Sequence, residues 1–458
     1  MKLEKLQLTN FRRFMQLEVD FHPEMTVLAA RNGQGKTSIL DAAIIALGTF
    51  VGAFDLGKSK AIERKDARYQ RLQSRSDSEQ VFPVRLEACV AGLPAPIIRE
   101  LSAKGRTTSK DATELTNLGK TLMERVRNLE PVELPLLAYY GSGRLWHVHK
   151  NMSRKAVLSA SRTMGYEDCF SAASSFTQVQ QWMTKATLAV LQQKNMDAYE
   201  GYTLADQIDG IQNTVNQVLS EEGWSGFHYS IQHEELAMTH SELGVLPVSM
   251  LSDGVRAMVS LVADMAWRCA KLNPQMGGDA QQQTEGVVFI DEVDLHLHPR
   301  WQQTVIGSLR EAFPKVQFIV TTHSPQVLST VKSESIRLIR TEYDPEFGEF
   351  ISEANMPAMQ SRGVASNDVM AELQGTDPIP GVEEAQWLKD YKRIVTSFQR
   401  FAEAESEGES EKEALKAKIL AHFGAQHPEW LECQRLERLQ EMKAKLSIKR
   451  VGDNEAGS

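Results

Sequence analysis

Asn32-Gly33-Gln34-Gly35-Lys36-Thr37-Ser38 is a run whose residue types suit one task, the seating of a chain of phosphates. Glycine at 33 and 35 permits positive φ, so consecutive backbone N–H groups can converge on an anion. Lys36 supplies a point charge for β- and γ-phosphates, and the Thr37 hydroxyl suits a magnesium ion. The usual pattern opens with glycine where this chain has Ala30, a change that costs little unless φ is positive there.

The partners such a loop needs lie far downstream. Asp291-Glu292 follows the apolar run Val287-Val288-Phe289-Ile290. At the carboxyl end of a parallel strand, Asp291 would hold magnesium through water and Glu292 would orient an attacking water as general base. Leu251-Ser252-Asp253-Gly254 opens an apolar helix. Ser252 reads either as its N-cap or, with the N–H groups around Gly254, as a contact for a γ-phosphate. His323, between Thr322 and Ser324 after another apolar run, is placed to sense that phosphate. His296 and His298 are spaced as a strand pair, yet they run into a helix begun by Pro299 and have no third ligand nearby, so zinc is not expected.

These residues imply the elements that carry them. Alternation at Leu6 and Leu8, then at Leu17, Val19 and Phe21, predicts a hairpin through Asn10-Phe11-Arg12-Arg13-Phe14. Residues 25–29 form a buried strand feeding the glycine loop, and residues 37–47 a helix leaving it. Strands are expected at 134–140, 287–290 and 316–321, with one helix over 299–313 between the last two. Residues 164–220 read as mostly helical, and no heptad run separates the glycine loop from Ser252. Residues 383–446 are charge-rich and helical in period, too polar for a second core. Their stripe Trp387, Leu388, Tyr391, Ile394, Val395, Phe398 is either packing or a docking face. The last residues, from 447, should be disordered.

A length of 458 residues with 42% hydrophobic and 24% charged residues describes an ordinary globular chain. A net charge of −9 excludes general attraction to nucleic acid. Any such contact falls to the basic stretch Lys58, Lys60, Arg64, Lys65, Arg68, Arg71 and Arg75, which is otherwise a solvated loop. Only Tyr69 is interleaved for stacking, so base reading is not expected. Four scattered cysteines and the lack of a long apolar stretch predict a reduced, cytoplasmic protein with no membrane segment.

The order of these motifs resembles the ATP-binding-cassette ATPases of the SMC, RecF and OLD branch. The run Asp-Glu-Val-Asp-Leu-His-Leu-His-Pro at 291–299 and the hairpin's Leu8-x-Asn10-Phe11-Arg12 carry that likeness. It implies an α/β fold, a P-loop head with a mixed sheet and flanking helices over residues 1–355. A basic and helical lid would be inserted within about 55–245, and a helical partner-docking region would follow at 356–446. It implies ATP and Mg2+ as ligands, and a second copy whose Ser252 completes the site, with Asp294 and His298 in the dimer-facing loop. OLD-type relatives add a nuclease domain. The apolar strand ending in Glu and the Asp-x-Asp pair that such a domain needs are not found after His323, so no nuclease is expected in this chain.

Tyr139-Tyr140-Gly141-Ser142-Gly143-Arg144-Leu145-Trp146, Ser161-Arg162-x-x-Gly165-Tyr166-x-Asp168-Cys169 and Ser361-Arg362-Gly363-x-x-Ser366-Asn367-Asp368 are similar to PtuA-type ATPases of Septu and Septu-like retron anti-phage systems. The resemblance implies an HNH endonuclease partner of the PtuB kind and, in the retron form, a reverse transcriptase with its RNA–DNA hybrid. The alternative is a RecF-like repair clamp without a nuclease.

Overall fold

Apolar alternation builds the first hairpin, β1 (Leu3–Phe11) and β2 (Phe14–Asp20), whose inward residues Leu6, Leu8, Leu17 and Val19 are buried. The computed structural model describes residues 1–71, 78–108, 110–143, 161–171, 176–193, 203–345, 349–397 and 405–455. β3 (Met25–Ala29) follows the hairpin and is buried along its whole length. It leads through the glycine loop into α1 (Lys36–Val51). After a small ribbon of β4 (Tyr69–Arg71) and β5 (Ser78–Gln80), β6 (Val84–Val90) and β7 (Ile97–Leu101) join the hairpin in an antiparallel sheet of order β2-β1-β6-β7.

The second sheet carries the chemistry. β8 (Leu136–Tyr140), β12 (Gly286–Ile290), β13 (Val316–Thr322), β14 (Ile336–Asp344) and β15 (Glu349–Asn355) combine with β3 in the order β15-β14-β3-β13-β12-β8. All neighbours are parallel except β14 and β15. β3, β8, β12 and β13 are buried throughout, which explains why they read as unbroken apolar runs. Their register aligns the carboxyl ends. Ala29 pairs with Thr322, and Ile290 with both Val320 and Tyr140, so the glycine loop, Asp291 and His323 all leave one edge. α1 packs against β6 and β7 on one side and β13 on the other, which is why nearly every residue of it is buried.

The stretch 55–245 is not simply a lid, because β6 and β7 complete one sheet and β8 edges the other. Its remaining parts are helical, with α2 (Thr113–Arg127), α3 (Phe176–Gln193) and α4 (Leu204–Leu219), followed by a meander of β9 (Trp224–Ser230), β10 (Glu235–His240) and β11 (Gly244–Pro247). α5 (Asp253–Leu272) carries the Leu-Ser-Asp-Gly sequence at its start and packs on α4. The helix expected over 299–313 is two pieces, α6 (Pro299–Gln302) and α7 (Val305–Ala312). Thr304 lies between them, and its hydroxyl donates to the Trp301 carbonyl at 3.3 Å in competition with the helix ladder. α8 (Pro325–Leu328) and α9 (Ser366–Glu372) follow β13 and β15 respectively.

The chain divides into two compact units, Met1–Gly375 and Thr376–Ser458, so the boundary falls at Gly375 rather than at residue 355. The second unit comprises α10 (Glu383–Ser397), α11 (Glu405–Phe423) and α12 (Pro428–Glu455). Contrary to the sequence expectation it has a core of its own, in which Leu388, Tyr391 and Val395 meet Ile419, Trp430 and Cys433. Most of the Trp387–Val395 stripe is therefore packing, while Phe398 lies outside the described residues. α12 runs on to Glu455, past residue 447 where a disordered tail was expected.

Candidate functional site

The glycine loop is held open by its own backbone. Gly33 and Gly35 have φ of 74° and 89°, and a Cβ on Gly35 would strike the Phe14 ring. Ala30 is not among the residues with positive φ, so the missing glycine costs nothing here. Lys36 donates from Nζ to the Ala30 carbonyl at 2.9 Å and lies 2.7 Å from His323 Nε2. An ammonium has only donors, so Nε2 accepts and the imidazole proton sits on Nδ1. Burial pulls the Lys36 ammonium below its ordinary pKa, while Asp291, Glu292 and Asp294 pull the other way. Burial, and then the Lys36 charge, also lower the His323 pKa below its ordinary value, against the pull of Asp294 and Asp291.

Thr37 Oγ1 donates to both oxygens of Asp291, at 3.0 and 3.2 Å. Asp291 is 2% exposed and its N–H donates to the Tyr140 carbonyl at 2.8 Å. A hydroxyl beside one carboxylate is the hard-oxygen donor set that magnesium takes, since it binds through few protein ligands and keeps oxygens from water and phosphate. Among the described residues there is no group of three or more His, Cys, Asp or Glu that could hold a metal ion by themselves.

Glu292 stands next to Asp291 with φ of 50°, an uncommon conformation for a side-chain-bearing residue. It is held there by its N–H, which donates to Thr321 Oγ1 at 2.8 Å. Asp294 accepts from Thr322 Oγ1 at 2.5 Å, tying the segment after Glu292 to the end of β13. His298 is exposed and accepts from Arg300 N–H at 3.3 Å, capping α6. Ser252 is the N-cap of α5 by position, but it is exposed and its side chain makes no capping bond. Gly254 lies against the His296 carbonyl, which a Cβ there would approach to 2.5 Å.

Several residues that shape the site were not singled out as site residues from sequence. Thr321 bridges Asp291 and Glu292, and in the sequence it stands only as the first residue of the Thr321-Thr322-His323-Ser324 run, without a role of its own. Arg12, noted there only for resemblance, pairs with Asp41 at 2.8 Å and Asp66 at 3.0 Å, fixing the hairpin to the start of α1. Tyr140 OH and Arg268 Nε both donate to Asp264 Oδ2, at 2.7 and 2.8 Å, joining α5 to β8, whose Tyr140 carbonyl accepts the Asp291 N–H.

Several cations of the basic stretch have partners, although Lys58, Arg64 and Lys65 remain exposed. Lys58 pairs with Asp168 at 2.8 Å, Lys60 with Asp41 at 3.5 Å and Lys65 with Glu63 at 2.7 Å. Arg64 lies over the Phe82 ring, and Arg68 donates to Gln70 Oε1 at 3.4 Å. The Arg71 side chain, Arg75 and the Arg144–Trp146 part of the aromatic segment lie outside the described residues.

Two family models match the chain, one described as "AAA domain" over residues 5–222 and one described as "AAA domain, putative AbiEii toxin, Type IV TA system" over residues 193–329. A "Retron Vc95 probable ATPase" of Vibrio cholerae is 25% identical over 86% of this chain and 83% of its own. A "Septu protein PtuA" of Bacillus mycoides is 27% identical over 70% of this chain, a match spanning only 38% of that protein. Among solved structures, an SMC head domain from Thermotoga maritima is 16% identical with a TM-score of 0.40, covering 78% of this chain and 100% of that one.

A mixed sheet that delivers a phosphate loop and its acidic partners to one edge, backed by an antiparallel sheet across α1, is an α/β arrangement suited to a P-loop ATPase, and it is this part of the chain that the AAA-domain models match. In sequence the chain is similar to retron and Septu ATPases. No helix among the described residues is long and apolar enough to cross a membrane.

Proposed function

We propose that this chain binds and hydrolyses ATP as the regulatory subunit of an anti-phage defence complex, dimerising head to head around the nucleotide and controlling a partner HNH endonuclease. The observation that carries the ATPase reading is the meeting of Lys36 with His323 and of Thr37 with Asp291 at one sheet edge. Lys36 and the loop N–H groups seat the phosphates, Thr37 and Asp291 hold magnesium, and Glu292 polarises the attacking water. Magnesium, when bound, offsets charge on the phosphate oxygens. With Lys36 drawn to the phosphates, His323 takes the tautomer that carries its proton on Nε2 and donates from there to the γ-phosphate.

The dimer follows from Ser252. It is exposed, makes no cap bond, and the chain has one such sequence for one phosphate loop. A second copy therefore presents its Ser252 to this copy's nucleotide. The retron and Septu names of the relatives support a multi-component system, with a PtuB-like nuclease and, in the retron form, a reverse transcriptase with its RNA–DNA hybrid. The second unit, residues 376–455, is the candidate docking surface for the nuclease. Light scattering on Glu292→Gln with ATP should show a dimer at micromolar concentration, and a monomer would sink the head-to-head reading.

A further inference from the structure

After β15 the chain returns to the nucleotide site. Ser361 Oγ donates to the Val331 carbonyl at 2.6 Å, and Gly363 N–H to the Ser329 carbonyl at 2.8 Å, pinning this segment over α8. α9 then delivers Leu373 into the main core. The next two residues reach the site itself. Gln374 Nε2 donates to the His323 carbonyl at 2.9 Å, and the Gly375 carbonyl accepts from Arg31 Nη2 at 2.8 Å. Gly375 has φ of 60°, and a Cβ there would lie 3.2 Å from the Arg31 guanidinium, so the position favours glycine.

These two bonds bracket the chemistry. Arg31 begins the glycine loop, and its carbonyl accepts from Gln34 N–H at 3.3 Å. His323 lies one residue beyond Thr322, the last residue of β13 paired to β3, so the sheet ladder no longer holds its backbone. We infer that Gln374 is a positioning residue for His323, and that with Gly375 it forms a strap setting the distance between the sensing histidine and the phosphate loop. This rests on the reading of His323 as γ-phosphate sensor. The strap ends where the second unit begins, at Thr376, so it is also the covalent route from that unit to the site.

Gln374→Met in the full chain keeps the side-chain length and removes the donor. The expected result is a fall in kcat for ATP of about three- to ten-fold, with KM changed less than about two-fold and the thermal midpoint retained. In protein labelled at histidine nitrogens, with the His323 signal assigned by its absence in His323→Ala, the imidazole titration should move up toward its ordinary value as the ring loosens. A wild-type kcat or an unmoved titration overturns the assignment. If the unsubstituted protein turns over no ATP, the underlying ATPase reading falls, and the titration alone then decides the strap.

Discussion

Thr321 Oγ1 lies 2.7 Å from Asp291 Oδ1 and simultaneously accepts the Glu292 N–H at 2.8 Å. One hydroxyl on β13 thus fixes the carboxylate proposed for magnesium and the backbone of the proposed general base. Because Thr321 is fully buried, no water replaces it readily. The Val293 N–H adds a third link at 3.0 Å, to the Thr321 carbonyl.

Thr321→Val keeps the shape and removes both bonds. Each lost hydrogen bond is worth about 1 kcal/mol, so kcat should fall roughly ten-fold or more while nucleotide affinity changes little. Thr321→Ser should retain most activity. Steady-state ATPase assays on the pair test this, and a fully active valine variant would remove Thr321 from the machinery.

The low pKa of His323 gives stability a defined pH dependence. In the folded chain, burial and Lys36 make the ring take its proton at lower pH than in the unfolded chain. Between that lowered value and the unfolded value of about 6.5 the unfolded state binds more protons, so stability rises with pH there. The contribution is complete above about pH 6.5 and is lost as pH falls. Urea midpoints of His323→Gln should therefore depend less on pH below about 6.5 than those of the unsubstituted protein. Equal slopes would show that the imidazole is not held in this environment.

Much of this site is legible in the sequence because its parts are local. Gly33 and Gly35 announce their backbone, and β3, β12 and β13 are apolar runs bounded by polar residues. What stays hidden is carried by pairings between distant segments. Gln374 meets His323 and Thr321 meets Asp291 only once the strands are in register. The basic stretch looks unpaired along the chain because Asp41 and Asp168 arrive from α1 and from beyond β8. The second core is missed for a related reason. Tyr391, Ile419 and Trp430 come from three helices, of which only α10 shows an apolar stripe in the sequence.

Gly254→Ala tests whether the start of α5 must sit against the segment after Glu292. The added Cβ would come within 2.5 Å of the His296 carbonyl, a backbone atom that cannot swing aside. Overpacking of this kind costs about 1–3 kcal/mol. ATP binding to the variant's own phosphate loop should stay within about two-fold, while ATP-driven self-association and turnover should fall at least about ten-fold. Nucleotide titration and light scattering separate these effects. A variant that dimerises and hydrolyses normally would detach this contact from function.

Asp264 and Arg268 form a buried pair, 2% and 1% exposed. Arg268 Nη1 also donates to the carbonyls of Gly165 and Glu167, at 2.6 and 3.2 Å. Burial alone would lower the Arg268 pKa, but the Asp264 charge outweighs it, so the guanidinium stays charged. Tyr140, whose hydroxyl also donates to Asp264, is pushed well above its ordinary pKa, first by burial and then by that carboxylate. Arg268→Met would strand Asp264 in the core and should cost about 3–5 kcal/mol in urea unfolding. Changing Asp264 to Leu in the same chain removes the stranded charge and should recover at least about half of that loss. If Arg268→Met alone unfolds within about 1 kcal/mol of the unsubstituted protein, the pair is not what joins α5 to β8.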